Sequence, residues 1–229
     1  MKALDLSTYL VTDTAACGGR DVFDVLAAAL RGGVTAVQVR EKNASTRELY
    51  ELVLRAAEVV AGRATLLVDD RVDVVLAARA TGARVDGVHV GQGDLPADVV
   101  RSLLGPDAVV GLSANTPEHL ARVAALPAGT VDYLGVGPIR PTSTKPDHPA
   151  PLGVAGFAAI VAATALPCVA IGSVRADDAP ALREAGTAGL AVVSAICSAP
   201  DPQRAARDLA TAWARAGAAL GGAGVEQAA

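Results

Sequence analysis

"TAVQVREKNASTRELYELVLRAAEVVAG", from Thr35 to Gly62, carries the pattern that decides the fold. Its first six residues are a short β-branched run that ends in Arg40. The stretch "TRELYELVLRAAEVVAG" that follows places apolar residues at helical spacing. Similar runs recur along the chain as "TYLVTD", "TLLVD", "DGVHV", "VVGLSA", "DYLGVG", "PCVAIG" and "AGLAVVS". Amphipathic or Ala-rich segments such as "RDVFDVLAAALRGG" separate them. Strands so continuously apolar belong to a parallel sheet covered on both faces. Eight such βα units predict an α/β protein made of a single (β/α)8 TIM barrel, with the barrel domain over 1–216 and a frayed Gly/Ala-rich tail over 217–229. A doubly wound open sheet is the competing topology. "YLVTDTAACGGRD" lacks the G-x-G-x-x-G that a dinucleotide fold carries after its first strand.

The bulk properties narrow the classes. The chain has 229 residues, 52% hydrophobic, with a formal net charge of −4, enough for one sizeable core. Mild acidity argues against a nucleic-acid or membrane-surface partner, whose footprint would be a basic face. Cys17, Cys168 and Cys197 show neither paired nor C-x-x-C spacing and read as reduced, buried thiols of a cytoplasmic protein. The opening "MKALDLSTYLVTD" has no continuous apolar signal region, so secretion is not expected. Leu152 to Val174 has no charged residue, but Pro167 divides it into a buried helix and a buried strand.

In such a barrel, chemistry sits where strands end. Polar and glycine-rich groups collect at that edge: "QVREK", "DDR", "GQGD", "LSANT", "IGSV" and "VVSAI". Gln38, Arg40 and Lys42 share a parity, so an extended chain turns all three to one side and Val37 and Val39 to the other. At a barrel mouth the converging cations call for an anion; the alternative is a solvated strand end with Glu41 as local partner. Asp69, Asp70 and Asp94 suit Mg²⁺, which takes few carboxylates, several waters and phosphate oxygens. General-base work competes, as do a helix N-cap at Asp94 and an Asp70–Arg71 pair. Gly172 lets backbone approach closely, and N–H groups near Ser173 and Ser194 suit a monophosphate. A tight turn is the other role open to Gly172. His89 reads as a hydrogen-bonded core histidine, His119 as a surface residue, and His148 receives no role.

"GVGPIRPTSTKPDHPAPLG", Gly135 to Gly153, is longer than most βα connections, and its prolines reduce the entropy lost on ordering. Hydroxyls at Thr142, Ser143 and Thr144 can donate to phosphate oxygens, and Lys145 can follow a departing diphosphate.

Taken together, "YLVTD", "QVREK", "DDRVDVVLA", "DGVHVGQGDLP", "VGLSANT", "DYLGVGPIRPTSTKPDHPAPLG", "AIGSV" and "AVVSAI" resemble, in order, the blocks of the thiamine phosphate synthase family, from Tyr9 to Ile196. The resemblance implies a transferase that joins a pyrimidine bearing a methylene diphosphate to a thiazole phosphate, in many cases carboxylated, with Mg²⁺ and release of pyrophosphate by an SN1-like path. It implies that Gln38, Val39, Arg40, Glu41 and Lys42, with Ser113 and Lys145, hold the pyrimidine diphosphate, and that Asp70 and Asp94 bind Mg²⁺. It further implies that Thr142, Ser143, Thr144, the Gly172–Ser173 turn, Val193 and Ser194 hold the thiazole phosphate. Arg40, Lys42 and Lys145 would draw off the leaving group.

The chain departs from the family pattern at three places. Asp69 stands where the family usually has Asn, so it either accepts from the pyrimidine amino group or adds charge near the metal. Ser173 replaces a glycine and incurs strain if its φ is positive. Arg140 replaces a residue commonly apolar and reads as an extra phosphate contact or a solvent-facing side chain. A thiazole tautomerase-like paralogue, which needs no diphosphate site, and a non-catalytic binder of thiamine precursors are the competing functions.

Overall fold

The computed structural model describes residues 4–142 and 150–226, with side chains as far as Leu220. Eight parallel strands close into a barrel in sequence order: β1 (Thr8–Val11), β2 (Ala36–Val39), β3 (Thr65–Asp69), β4 (Gly87–Val90), β5 (Val109–Ser113), β6 (Tyr133–Val136), β7 (Cys168–Ala170) and β8 (Gly189–Val192). Between and after them run α1 (Val22–Arg31), α2 (Thr46–Val60), α3 (Val72–Ala80), α4 (Ala97–Leu104), α5 (Pro117–Ala124), α6 (Gly153–Ala162), α7 (Ala179–Glu184), α8 (Ser194–Cys197) and α9 (Pro202–Glu226). The ring closes where Tyr9 pairs with Ala191 on one side and Ala36 on the other. The single-barrel expectation is met, and the open-sheet alternative falls.

Strand parity divides the core into two. Leu10, Val37, Leu66, Val68, Leu134 and Val136 point outward under the helices. Tyr9, Val11, Ala36, Leu67, Tyr133, Val169 and Ala191 fill the interior. Both faces of each strand are therefore buried, which is why the strands read as unbroken apolar runs.

Helix starts follow local chemistry. The Asp21 carboxylate accepts from Phe23 N at the head of α1. Ser45 and Glu48 form a reciprocal capping box on α2. Thr116, followed by Pro117, caps α5. The three cysteines are free and buried, as expected. Among the described residues, no helix is long and apolar enough to cross a membrane.

The Gly/Ala-rich segment from Gly217, read in the sequence as a frayed tail, begins within a helix. α9 continues through Gly217 to Glu226. A Cβ at Gly217 would lie 2.9 Å from Arg183 Nη2, and that guanidinium sits 4.0 Å over the Trp213 ring. Gly217 thus serves helix packing, and the alanines around it are strong helix formers. Gln227 to Ala229 lie outside the described residues.

One strained position offers a stability test. Ala61, exposed at the end of α2, is held left-handed at φ 46° while its N–H bonds Ala57 O. Ala61→Gly removes the Cβ clash of that conformation and is expected to raise unfolding free energy by about 0.5–1 kcal/mol. The check is a higher urea midpoint at unchanged slope.

Candidate active site at the carboxyl ends of the strands

A cavity of about 180 Å³ opens at the carboxyl ends of the strands. Its floor is a chain of hydrogen bonds across the barrel. Gln38 Nε2 donates to Tyr9 OH at 2.8 Å, Tyr9 OH meets Tyr133 OH at 2.9 Å, and Tyr133 OH meets His89 Nδ1 at 2.9 Å. The far ring nitrogen, Nε2, lies 3.0 Å from Ser113 Oγ. Burial pushes both phenols well above their usual range, so they stay neutral and act through hydrogen bonds alone. His89 is hydrogen-bonded as expected, yet it also lines the cavity. Tyr9 and Tyr133 were missed by sequence reasoning. The available signal was their inward parity opposite small residues: a Cβ at Gly111 would fall 2.3 Å from Tyr133 Cζ, and one at Gly135 would fall 2.8 Å from His89 Cε1.

The first wall carries charge. Gln38 and Arg40 line the cavity, as their parity predicts. Arg40 lies 3.7 Å from Asp69 and 4.0 Å from Asp13. Lys42 lies 2.7 Å from Asp69 and also pairs closely with Asp70. Half-burial opposes charge on Lys42, but Asp69 and then Asp70 outweigh it and hold the ammonium above its usual range. Asp69 therefore organises both cations, a role the sequence did not disclose. Val39 and Glu41 point away from the cavity. Val39 packs in the outer layer, and Glu41 accepts from Thr14 N at 2.8 Å and from its hydroxyl. Their side chains do not line the cavity, and among the described residues Glu41 forms no ion pair with Arg40 or Lys42.

At the rim of that wall, Asp70 and Asp94 stand together. Burial first, then the Asp70 carboxylate, raise the Asp94 carboxyl against the lowering bond from Gly91 N. The helix-cap reading of Asp94 fails, because Pro96 occupies the N-cap of α4. The Asp70–Arg71 pair fails too, since Arg71 binds Asp73. Two adjacent carboxylates at an open rim fit a hard divalent ion that completes its shell with water and phosphate oxygens. Among the described residues no cluster of three or more His, Cys, Asp or Glu side chains forms a protein-only cage.

The opposite wall is built for a phosphate. Gly172 has φ 95° and Ser173 φ 52°, so the strain expected at Ser173 is present. Ser173 Oγ donates to Pro141 O at 2.7 Å, which offsets part of it. Gly172, Ser173, Val174, Val193, Ser194 and Thr142 all line the cavity. Among the described residues, the backbone N–H groups of Ser173, Val174 and Ser194 have no protein acceptor. Such N–H groups in a left-handed turn favour an anion. Ser143, Thr144 and Lys145, with His148, lie outside the described residues. His119 is half-buried rather than on the surface, its Nδ1 3.4 Å from Asn115 N.

These features are those of a (β/α)8-barrel enzyme with charged side chains on one wall of its mouth and backbone donors on the other. A family model described as thiamine monophosphate synthase matches residues 8–196. The chain belongs to that family, whose members are transferases. It is 47% identical over 209 residues to the thiamine-phosphate synthase of Corynebacterium efficiens, covering 91% of this chain and 95% of that one. The thiamine-phosphate synthase of a Psychrobacter species is 43% identical over 201 residues, 88% and 92% of the two chains. Among solved structures, the thiamine phosphate pyrophosphorylase of Pyrococcus furiosus superposes with a TM-score of 0.79 at 32% identity. That match covers 92% of this chain and 96% of the other.

Proposed function

We propose that this chain joins a pyrimidine bearing a methylene diphosphate to a thiazole phosphate, releasing pyrophosphate and forming thiamine phosphate with the help of Mg²⁺. The observation that carries this reading is the pairing of two unlike walls on one cavity. Arg40 and Asp69 line one side, with Lys42, Asp70 and Asp94 joined to Asp69 just beyond the lining, and the Gly172–Ser173 turn with Ser194 lines the other. A tautomerase would have no use for the first wall.

Arg40 and Lys42 neutralise the diphosphate as the bond between the methylene carbon and its oxygen breaks. The electron pair leaves with pyrophosphate, and the carbon becomes a pyrimidine-stabilised cation. The lone pair of the thiazole nitrogen then closes the new C–N bond. Gln38, Ser113, the neutral phenols of Tyr9 and Tyr133, and His89 give the cavity a hydrogen-bonded polar floor. The Gly172–Ser173 turn, Thr142, Val193 and Ser194 hold the thiazole phosphate. Mg²⁺ held by Asp70 and Asp94 would supply further charge neutralisation at the leaving diphosphate. The roles of Ser143, Thr144 and Lys145 rest on the sequence motif and belong to the same proposal.

Purified protein given both precursors and Mg²⁺ is expected to release pyrophosphate and form thiamine phosphate. No product from correctly folded protein overturns the reading, and a tautomerising activity indifferent to EDTA would replace it. Asp94→Ala is expected to raise the Mg²⁺ concentration for half-maximal rate by at least about tenfold, the low end of what losing even an outer-shell partner costs. An unaltered metal titration rejects Asp94 as a ligand.

A further inference from the structure

Arg140 follows β6, and its side chain is not among the residues that line the cavity. Its guanidinium is committed elsewhere. Nη1 donates to Asp178 Oδ2 at 2.7 Å and to Ser173 O at 3.2 Å, while Nη2 binds Asp178 Oδ1. Asp178 closes the short 3-10 turn Ala176–Asp178 ahead of α7, and its Oδ2 also accepts from Arg175 N at 2.8 Å. The bond to Arg140, against an opposing contribution from burial, holds the Asp178 carboxyl below its usual range, with Arg175 N helping. Asp178 is thus an ionised anchor, only 8% exposed.

The same two loops are stitched along the backbone. Ile139 N donates to Ile171 O at 2.9 Å, Arg140 N to Gly172 O at 3.1 Å, and Ser173 Oγ to Pro141 O. Every one of these bonds ends at or beside the Gly172–Ser173 turn. A non-glycine residue at φ 52° persists only where its surroundings over-determine it. Peptide planarity gives the bond to Ser173 O a second effect. With that carbonyl drawn to the guanidinium, the Val174 N–H of the same peptide is turned to the other side. Val174 is a cavity residue whose N–H has no acceptor among the described residues.

We propose that Arg140 is a positioning residue for the phosphate end of the second substrate: anchored on Asp178, it orients the Ser173–Val174 peptide and holds the segment leading to Thr142 against it. This rests on the thiazole phosphate reading of that wall. In this role Arg140 acts through the Ser173–Val174 peptide, a third option beside the phosphate contact and the solvent-facing side chain.

Arg140→Met keeps the apolar stem and removes the donors. Asp178→Asn keeps an acceptor for Arg175 N while releasing the charge. For both variants, KM for the thiazole phosphate is expected to rise about tenfold, the scale of losing a charge-assisted hydrogen bond. KM for the pyrimidine diphosphate and kcat at saturation should stay within about twofold of wild type. Calorimetry with thiazole phosphate alone should show the same weakening, and Arg140→Lys should recover part of it.

An unchanged thiazole phosphate affinity in Arg140→Met overturns the proposal. So do equal rises in both KM values with a fallen melting temperature, the mark of a merely structural pair. A wild-type protein that binds neither thiazole phosphate nor inorganic phosphate at this wall overturns it as well. If wild type binds thiazole phosphate without condensing it, and Arg140→Met weakens that binding, the positioning role stands while the synthase reading falls.

Discussion

Arg40→Gln is expected to lower kcat by about 10²–10³-fold while leaving the fold intact, the scale seen when a preorganised transition-state donor is removed. Arg40 lines the cavity with its side chain only 16% exposed, and its nearest carboxylates lie 3.7 and 4.0 Å away. Those distances are too long for strong hydrogen bonds, so these carboxylates do not saturate the guanidinium. Its donors are free to tighten as negative charge accumulates on the leaving diphosphate. Interactions stronger in the transition state than before it appear in kcat rather than KM.

Stability should change little. The pairs of Arg40 are long, at 3.7 and 4.0 Å, and Lys42 continues to serve Asp69 at 2.7 Å. Glutamine retains polar atoms but neither the charge nor the fork, so Arg40→Lys should fall between the two. Rapid-quench measurement of pyrophosphate formation at saturating substrates decides the matter. Wild-type kcat in Arg40→Gln would remove Arg40 from the chemistry.

The readability of this site in the sequence has a physical pattern. β3 was legible to the residue as "TLLVD", because a strand buried on both faces and ended by charges has sharp edges in one dimension. The inward parity of Gln38 and Arg40 was legible for the same reason. The floor was not. Tyr9, Tyr133 and His89 are separated by 124 and 44 residues, and only the barrel's register brings them together. Arg140 and Asp178 stand 38 residues apart on different loops, so neither announced its partner. Nor could composition reveal that Gly217 packs against Arg183, since Gly/Ala content alone does not separate a frayed end from a close helix contact. Strain at Ser173 was conditional on a backbone angle, and the turn supplies it.

That turn carries the other large prediction. Gly172→Ala is expected to destabilise the protein by about 2–4 kcal/mol, combining left-handed backbone strain with overpacking. A Cβ at Gly172 would sit 2.4 Å from Pro138 Cβ, 2.5 Å from Pro138 Cα and 3.1 Å from Ile139 N, at φ 95°. No flexible side-chain end is available to move aside, because the obstacles are a proline ring and backbone. Relief must come from displacing the turn away from the strand-six loop. That would lengthen the bonds from Ile139 N and Arg140 N and pull Ser173 away from Pro141 and the adjoining Thr142. Affinity for the thiazole phosphate should therefore fall by at least about tenfold, alongside the lower urea midpoint.

The neighbouring position gives a control with a different outcome. Ser173→Gly removes left-handed strain of about 1 kcal/mol but also deletes the Oγ bond to Pro141 O, worth about the same. Its net stability should lie close to wild type, even though the same turn is altered. Gly172→Ala with wild-type stability and wild-type thiazole phosphate affinity would show that this wall can yield. The phosphate would then have to be held without a fixed Gly172–Ser173 backbone.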